Sequence, residues 1–350
     1  MNRERFTLEI SKILDANRTF DKIYNSNILI IGASGMLGSC LVDLLIQLNK
    51  RYNANIKIYA LSRNEKYLKE RFAYYNNEKL KIVAQDICNP LCIEETIDYI
   101  IHGGSNADPY MINNNPVDTI KANFIGMDNL LNFYNKNNVK RLLYISSGEM
   151  YGLLDEKHEN FSEEYVGYLD YSSPRSSYPS GKRATEVLCQ SYVSQYDNDI
   201  VIARPCHVYG PTMKENDSRA ICQFIRNAAD KEDIILKSDG KLERSHCYVL
   251  DSVIALLYIL IFGKKGEAYN ISDEASQCTI KDLAEKVAEK ASVSVIFDIP
   301  SKEEKASFSK VNKAVLNNKK LKTLGWNAII GLDEGIKNTI EHIKYSNNIV

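Results

Sequence analysis

Up to about residue 204, short apolar runs alternate with longer amphipathic stretches, the pattern that arises when parallel strands are joined by crossover helices. Residues 27–31, 56–61, 80–84, 99–102, 141–146 and 199–203 read as strands, and residues 38–49, 116–136 and 179–196 as helices between them. Most of these strands run into Gly, Ser, Asp or Asn, where an open parallel sheet places its ligand-binding loops. Beyond them Pro205, Gly210 and Pro211 break the periodicity, and a mixed region follows with helices expected at 220–229 and 250–261. The pattern predicts an α/β fold, a doubly wound parallel sheet with a smaller mixed α/β lobe at the carboxy terminus. Residues 1–25 are expected to form a helical extension on the sheet's flank, 26–204 the sheet domain and 205–350 the second lobe, interleaved with the first as one bilobal unit.

Length and charge narrow the class. A chain of 350 residues buries a sufficient core without disulfides or a structural metal. Its 44 Lys and Arg stand against 45 Asp and Glu, for a net charge of −1, which argues against nucleic acid or an anionic membrane as the main partner. The longest apolar run, residues 253–262, is far short of a bilayer span, and the opening MNRERFTLEI is charged where a secretion signal needs an apolar core. Cys40, Cys88, Cys92, Cys189, Cys206, Cys222, Cys247 and Cys278 have neither CxxC spacing nor a histidine cluster beside them. No metal site is expected, and the cysteines read as small core hydrophobes of a reducing, cytoplasmic compartment.

The first candidate chemistry is Gly32-Ala-Ser34-Gly35-Met36-Leu37-Gly38, which follows an apolar strand and opens a helix. In that context the first glycine permits a tight turn, the second lets backbone approach a pyrophosphate, and the third lets helix and strand pack closely. The helix dipole adds a favourable field, so a dinucleotide such as NAD or NADP is implied and the sheet is of Rossmann type. At the end of the second strand, Ser62-Arg63 stands where an acid would bind the ribose hydroxyls of NAD; arginine suits the 2′-phosphate of NADP, so the choice stays open.

The second candidate is Tyr178-Pro-Ser-Gly-Lys182 at a helix start, which puts a phenol and an ammonium on one face. A lysine beside a tyrosine favours the phenolate, and the pair can then take a hydroxyl proton while hydride leaves the same carbon. Alone, this spacing usually means a packed ring beside a solvated amine. Asn123 on the preceding long helix and Ser146-Ser147 at a strand end give it company.

With its Gly-x-x-Gly-x-x-Gly spacing, the chain resembles the short-chain dehydrogenase/reductase superfamily. Asp86-Ile87 matches the pair that superfamily sets against the adenine, and Asn123 and Ser147 match its proton-relay and hydroxyl-orienting positions. The strings around His102-Gly103-Gly104-Ser105, Ser146-Ser-Gly-Glu149-Met-Tyr-Gly152, Arg204-Pro-Cys-His207-Val-Tyr-Gly-Pro211, Arg244-Ser-His-Cys-Tyr-Val249 and Leu324-Gly-Trp326 are similar to the extended branch, the NAD-dependent sugar-nucleotide epimerases, dehydratases and decarboxylases. Pro174-Arg-Ser-Ser-Tyr-Pro-Ser-Gly-Lys-Arg183 looks closest to UDP-glucuronate decarboxylases, with dTDP-glucose 4,6-dehydratases nearby.

The resemblance implies a tightly held NAD or NADP lined by Gly32 to Gly38, Arg63, Asp86, Ile87, Gly103, Gly104, Ser105, Tyr178 and Lys182. It implies a nucleotide-diphosphate sugar whose C4 hydroxyl Tyr178 deprotonates, with reaction then at C5 or C6. Ser147, Glu149, His207 and Arg244 are the implied substrate residues, Arg244 at the diphosphate. Glu149 is the informative one, because a 4,6-dehydratase usually carries an Asp-Glu pair here and the Asp position is Gly148. His207 stands where asparagine is common, and Arg175 has Glu163 or Glu164 as expected partners. A homodimer through a four-helix bundle of the two long helices is implied as well, as is a role in supplying sugar nucleotides for surface polysaccharide.

Overall fold

The computed structural model describes residues 1–17, 20–75, 77–298 and 313–347. Its strands are β1 (Asn27–Ile31), β2 (Lys57–Ser62), β3 (Leu80–Ala84), β4 (Tyr99–His102), β5 (Arg141–Ile145), β6 (Ile200–Pro205), β7 (His207–Tyr209), β8 (Ile234–Leu236), β9 (Glu243–Tyr248), β10 (Ala268–Ile271), β11 (Asp273–Thr279), β12 (Val295–Phe297) and β13 (Lys313–Ala314). The helices are α1 (Arg3–Asp15), α2 (Met36–Tyr52), α3 (Glu65–Arg71), α4 (Pro109–Asn114), α5 (Pro116–Asn137), α6 (Ser177–Tyr196), α7 (Ala220–Ala229), α8 (Val249–Phe262), α9 (Ile280–Ala291), α10 (Lys319–Lys322) and α11 (Leu332–Asn347).

Seven strands form one sheet in the order β10-β6-β5-β4-β1-β2-β3, each neighbouring pair parallel. Helices cover both faces, so four of the five β1 residues and every β6 residue are buried, and the strands read as near-continuous apolar runs. The chain leaves β1 for β2 on one side, while β4 pairs on the other. The strand order reverses there, at the place where open parallel sheets bind their ligands.

One strand of this sheet went unread in the sequence. Ala268–Ile271 lies deep in the carboxy-terminal segment, yet it pairs with β6 and completes the sheet. Helix α8 also comes from that segment, and its almost wholly apolar sequence is buried from Val249 to Leu260, as a helix hydrophobic on all sides must be. The remaining strands form smaller sheets, β11-β9-β13 with β7 on β9, and β12-β8. Helix α1 buries Phe6, Ile10, Ile13 and Leu14 in the main core. It is fastened by Tyr248 Oη donating to Glu9 at 2.9 Å and by Arg3 on Asp43 at 3.3 Å. Of the cysteines, Cys40, Cys189, Cys222 and Cys247 are core residues, whereas Cys92 is exposed.

Candidate active site

The phosphate loop is dictated by close backbone approach. Gly32 has φ +85°, and a Cβ there would lie 2.8 Å from the Gly103 carbonyl oxygen, so the loops after β1 and β4 touch through bare backbone. A Cβ on Gly38 would run into the Gly32 carbonyl, which places the start of α2, with Met36 and Leu37, directly on the loop. Ser62 Oγ donates to Ser34 Oγ at 2.8 Å and pins the loop to the end of β2. Beside it, exposed Arg63 lies 3.9 Å from the Asp86 carboxylate. Ile87 packs beneath α5, where Asn129 Nδ2 donates to its carbonyl at 3.0 Å. At Gly104 an added Cβ would be 2.9 Å from Ile31 Cγ2, so Ile31 already fills the volume of a side chain there.

Asn123 Nδ2 donates to Ser105 Oγ at 2.9 Å and to the Thr119 carbonyl at 2.8 Å. Its buried Oδ1 has no partner among the described residues. A backbone cradle at a helix N-terminus, with a buried acceptor left over at its far end, fits a dinucleotide. Thr212 Oγ1 donates to the Met36 carbonyl at 3.0 Å, and Asp108 accepts from Ser218 N at 2.7 Å, so the second lobe is tied to the loops after β1 and β4.

Helix α6 starts two residues earlier than the sequence suggests, at Ser177, so Tyr178 stands in its first turn with Lys182 one turn on. Lys182 Nζ donates to the Ile145 carbonyl at 2.9 Å and lies 5.7 Å from the Tyr178 ring centre. Burial brings the Lys182 ammonium down to about 7, with Glu186 acting the other way. Burial and the Glu149 carboxylate push the Tyr178 phenol up, opposed by a hydrogen bond with Ser147 and by the charges of Arg219 and Arg175. The Lys182 ammonium is itself desolvated, and Arg219 and Arg175 supply charges that favour the phenolate.

Glu149 rides on a 3-10 turn, Gly148–Tyr151, whose start is capped by Ser147 Oγ accepting from Glu149 N at 3.1 Å. Its carboxylate meets Arg175 Nη1 at 3.0 Å. Arg175 thus pairs with Glu149, not with Glu163 or Glu164 as the sequence suggested, and Glu163 instead accepts from Asn270 N at 2.8 Å. Arg244 is buried in β9 and donates to the Glu243 carbonyl at 2.8 Å. Burial brings it down to about 10, while Glu149 favours its charge. His207 faces His246 across the β7/β9 pair with ring centres 5.9 Å apart. Burial and Arg244 keep it neutral, and its Nδ1 is buried without a partner among the described residues.

Arg219 went unread in the sequence. Asp217 grips it at 2.6 Å, it donates to the Val208 carbonyl at 2.9 Å, and its Nη2 reaches Met36 Sδ at 3.8 Å, bringing a half-buried cation toward Tyr178 and the phosphate loop. The available signal was an Asp-Ser-Arg string just before a helix start, with Asp217 accepting from Arg219 N at 3.1 Å. Gly148 packs closely under buried Leu316, both of whose methyl groups would lie 3.0 Å from a Cβ built there, so a side chain at this position needs Leu316 to give way. A polar network holds the Glu149 turn against α6. Arg183 donates to the carbonyls of Tyr151 at 2.8 Å and Gly167 at 2.7 Å, and Arg204 bridges Glu186 at 2.6 Å and Tyr151 Oη at 2.8 Å.

Comparison with known proteins identifies relatives of the chain. Residues 28–272 match the model of the NAD dependent epimerase/dehydratase family. UDP-glucuronic acid decarboxylase 3 of Arabidopsis thaliana is 32% identical over 312 residues, covering 89% of this chain and 87% of its own. Among solved structures, a UDP-glucose 4-epimerase with UDP-glucose from Thermotoga maritima superposes with a TM-score of 0.79 at 24% identity, over 92% of this chain and 99% of the other. A dTDP-glucose 4,6-dehydratase from Bacillus anthracis in complex with NAD does so at 0.77 and 20%, over 92% and 98%. With the glycine cradle, the Tyr178/Lys182 pair and a carboxylate and arginines facing them, this chain belongs to the NAD-dependent epimerase/dehydratase family and is a nucleotide-sugar-modifying enzyme.

Proposed function

We propose that the chain is a UDP-glucuronate decarboxylase, a lyase that oxidises the sugar at C4, loses the C6 carboxylate and is reset in the same site. The observation that carries this reading is the packing of Gly148 under Leu316. A dehydratase of the usual kind needs an acid there for the departing C6 hydroxyl. Leu316 occupies that space, held by its backbone N donating to Ser245 Oγ at 3.0 Å. Glu149 stands without an acidic neighbour, and a 4-keto acid needs none, because the ketone itself accepts the electrons freed when the carboxylate leaves. The likeness to the Arabidopsis decarboxylase points the same way.

In this reading Tyr178, oriented by Ser147, takes the C4 hydroxyl proton, with the Lys182 and Asn123 positions relaying it. The bound dinucleotide supplies the hydride acceptor and later the donor. It would be held by the cradle from Gly32 to Gly38 and by Asp86, Ile87 and Gly103 to Ser105, with exposed Arg63 available to the 2′-phosphate should the dinucleotide be NADP. Arg244, with His207 beside it, faces the diphosphate. Glu149 faces C5 and C6, where carbon dioxide leaves and a proton must return. Two such chains pair through α5 and α6, which pack on each other and leave Val117, Ile120, Phe124, Ile125 and Val187 exposed, while Leu130 and Leu131 turn into the core.

Incubation with UDP-glucuronate should release carbon dioxide and a UDP-pentose. Solvent deuterium at C5 or C6 of a neutral hexose nucleotide would instead show a dehydratase. A protein that yields no nicotinamide nucleotide on denaturation and turns over no sugar nucleotide would be a non-catalytic member.

A further inference from the structure

The turn before α6 brings a cation to the sugar end whose partner is replaceable. Pro174–Ser176 is a 3-10 turn braced by Ser173 N on the Asp170 carbonyl at 3.2 Å, Ser176 N on the Ser173 carbonyl at 2.9 Å and Ser176 Oγ on the Asp170 carbonyl at 2.6 Å. Its backbone is therefore fixed two residues before Tyr178, and only the end of the Arg175 side chain is free to swing. That end is on Glu149 at 3.0 Å, in a pair whose side chains are 35% and 37% exposed. Pairs this open to water are weak and exchange readily. The other arginines of the site are committed, Arg219 to Asp217, the Val208 carbonyl and Met36, and Arg244 to burial within β9. Arg175 and Glu149 both act on Tyr178 and on Arg244, so the four groups lie within reach of one another's charge.

We propose that Arg175 is a specificity residue that exchanges Glu149 for the C6 carboxylate of an acidic sugar nucleotide. The inference rests on the decarboxylase reading and adds to it the group that recognises the acid. A carboxylate on the substrate replaces the Glu149 carboxylate in kind, with the same two acceptor oxygens for the same planar fork. A neutral hydroxymethyl group offers no such exchange and leaves the Glu149 pair closed. Once Arg175 has turned to the substrate, Glu149 is released beside C5 and C6, where the reading needs it.

The test measures the affinities of UDP-glucuronate, UDP-glucose and UDP for the holoenzyme by calorimetry. Wild type should prefer the acid sugar by about tenfold; Arg175→Gln should abolish that preference while changing UDP and UDP-glucose by less than about twofold, and Arg175→Lys should keep most of it. Glu149→Gln should tighten UDP-glucuronate, and the tightening should vanish when Arg175→Gln is added, the coupling expected of groups that share a partner. The proposal is overturned if Arg175→Gln weakens all three ligands alike, which is a diphosphate or structural role, or if the preference survives it. Failure of the underlying reading looks different: wild type would then show no preference for the acid sugar.

Discussion

The two sides of the crevice are built on different principles. On the cofactor side, a bare backbone loop of seven consecutive residues makes the site, and its requirements are steric, as at Gly32 against Gly103 and Gly38 against Gly32. On the sugar side, long charged side chains from distant segments, Glu149, Arg175 and Arg219, converge on one phenol, and their requirements are electrostatic. The first arrangement suits a ligand that every family member shares. The second can be retuned one side chain at a time, as Gly148 under Leu316 illustrates.

This contrast can be broken by substitution. The largest effect is expected of Gly38→Ala, whose methyl group meets the Gly32 carbonyl. It should remove the dinucleotide from the purified protein and cost about 3 kcal/mol in denaturant unfolding; a variant that keeps full nucleotide content would show that the cradle is looser than described. Next comes Tyr178→Phe, which should lower turnover about a thousandfold while the bound nucleotide and the melting temperature stay close to wild type. Equal loss of nucleotide would mean that the two sides are not separable.

A smaller effect concerns pH. Lys182 is brought down by burial to about 7 from an ordinary 10.5, so between those values the unfolded chain carries a proton that the folded chain has released. Without bound dinucleotide, stability should therefore rise with pH across that window, by at most about 1.4 kcal/mol per unit, and Lys182→Met should flatten the rise. An unchanged slope in the variant would assign it to another group. The smallest effect is expected of Arg63→Ala. Its exposed, 3.9 Å pair with Asp86 contributes little to stability. The melting temperature should not move, and only the ratio of NADP to NAD affinity should fall; a fall in both would place Arg63 within the cradle proper.

The same contrast explains what the sequence revealed. Strands β1 to β6 were legible because they are short apolar runs closed by polar or small residues, and the loop because glycine spacing records a local backbone constraint. Tyr178 and Lys182 were legible because a helix fixes residues four apart on one face. Strand β10 was not, since four residues gain their identity only from pairing with β6, more than sixty positions earlier. Nor were the Arg175 and Arg219 contacts, because a charged side chain takes its partner from tertiary packing and several carboxylates lay within sequence reach.

On the proposed reading, Tyr178 and Glu149 serve two separate steps on one sugar, Tyr178 the oxidation at C4 and Glu149 the return of a proton to C5. A single turnover of Glu149→Gln with UDP-glucuronate labelled at the C6 carboxylate, following nicotinamide absorbance and labelled carbon dioxide together, separates them most directly. The nicotinamide should be reduced and the label released as in wild type, and the nicotinamide should then stay reduced because the ketone is not re-formed. Reoxidation at the wild-type rate, or no reduction at all, would contradict this assignment.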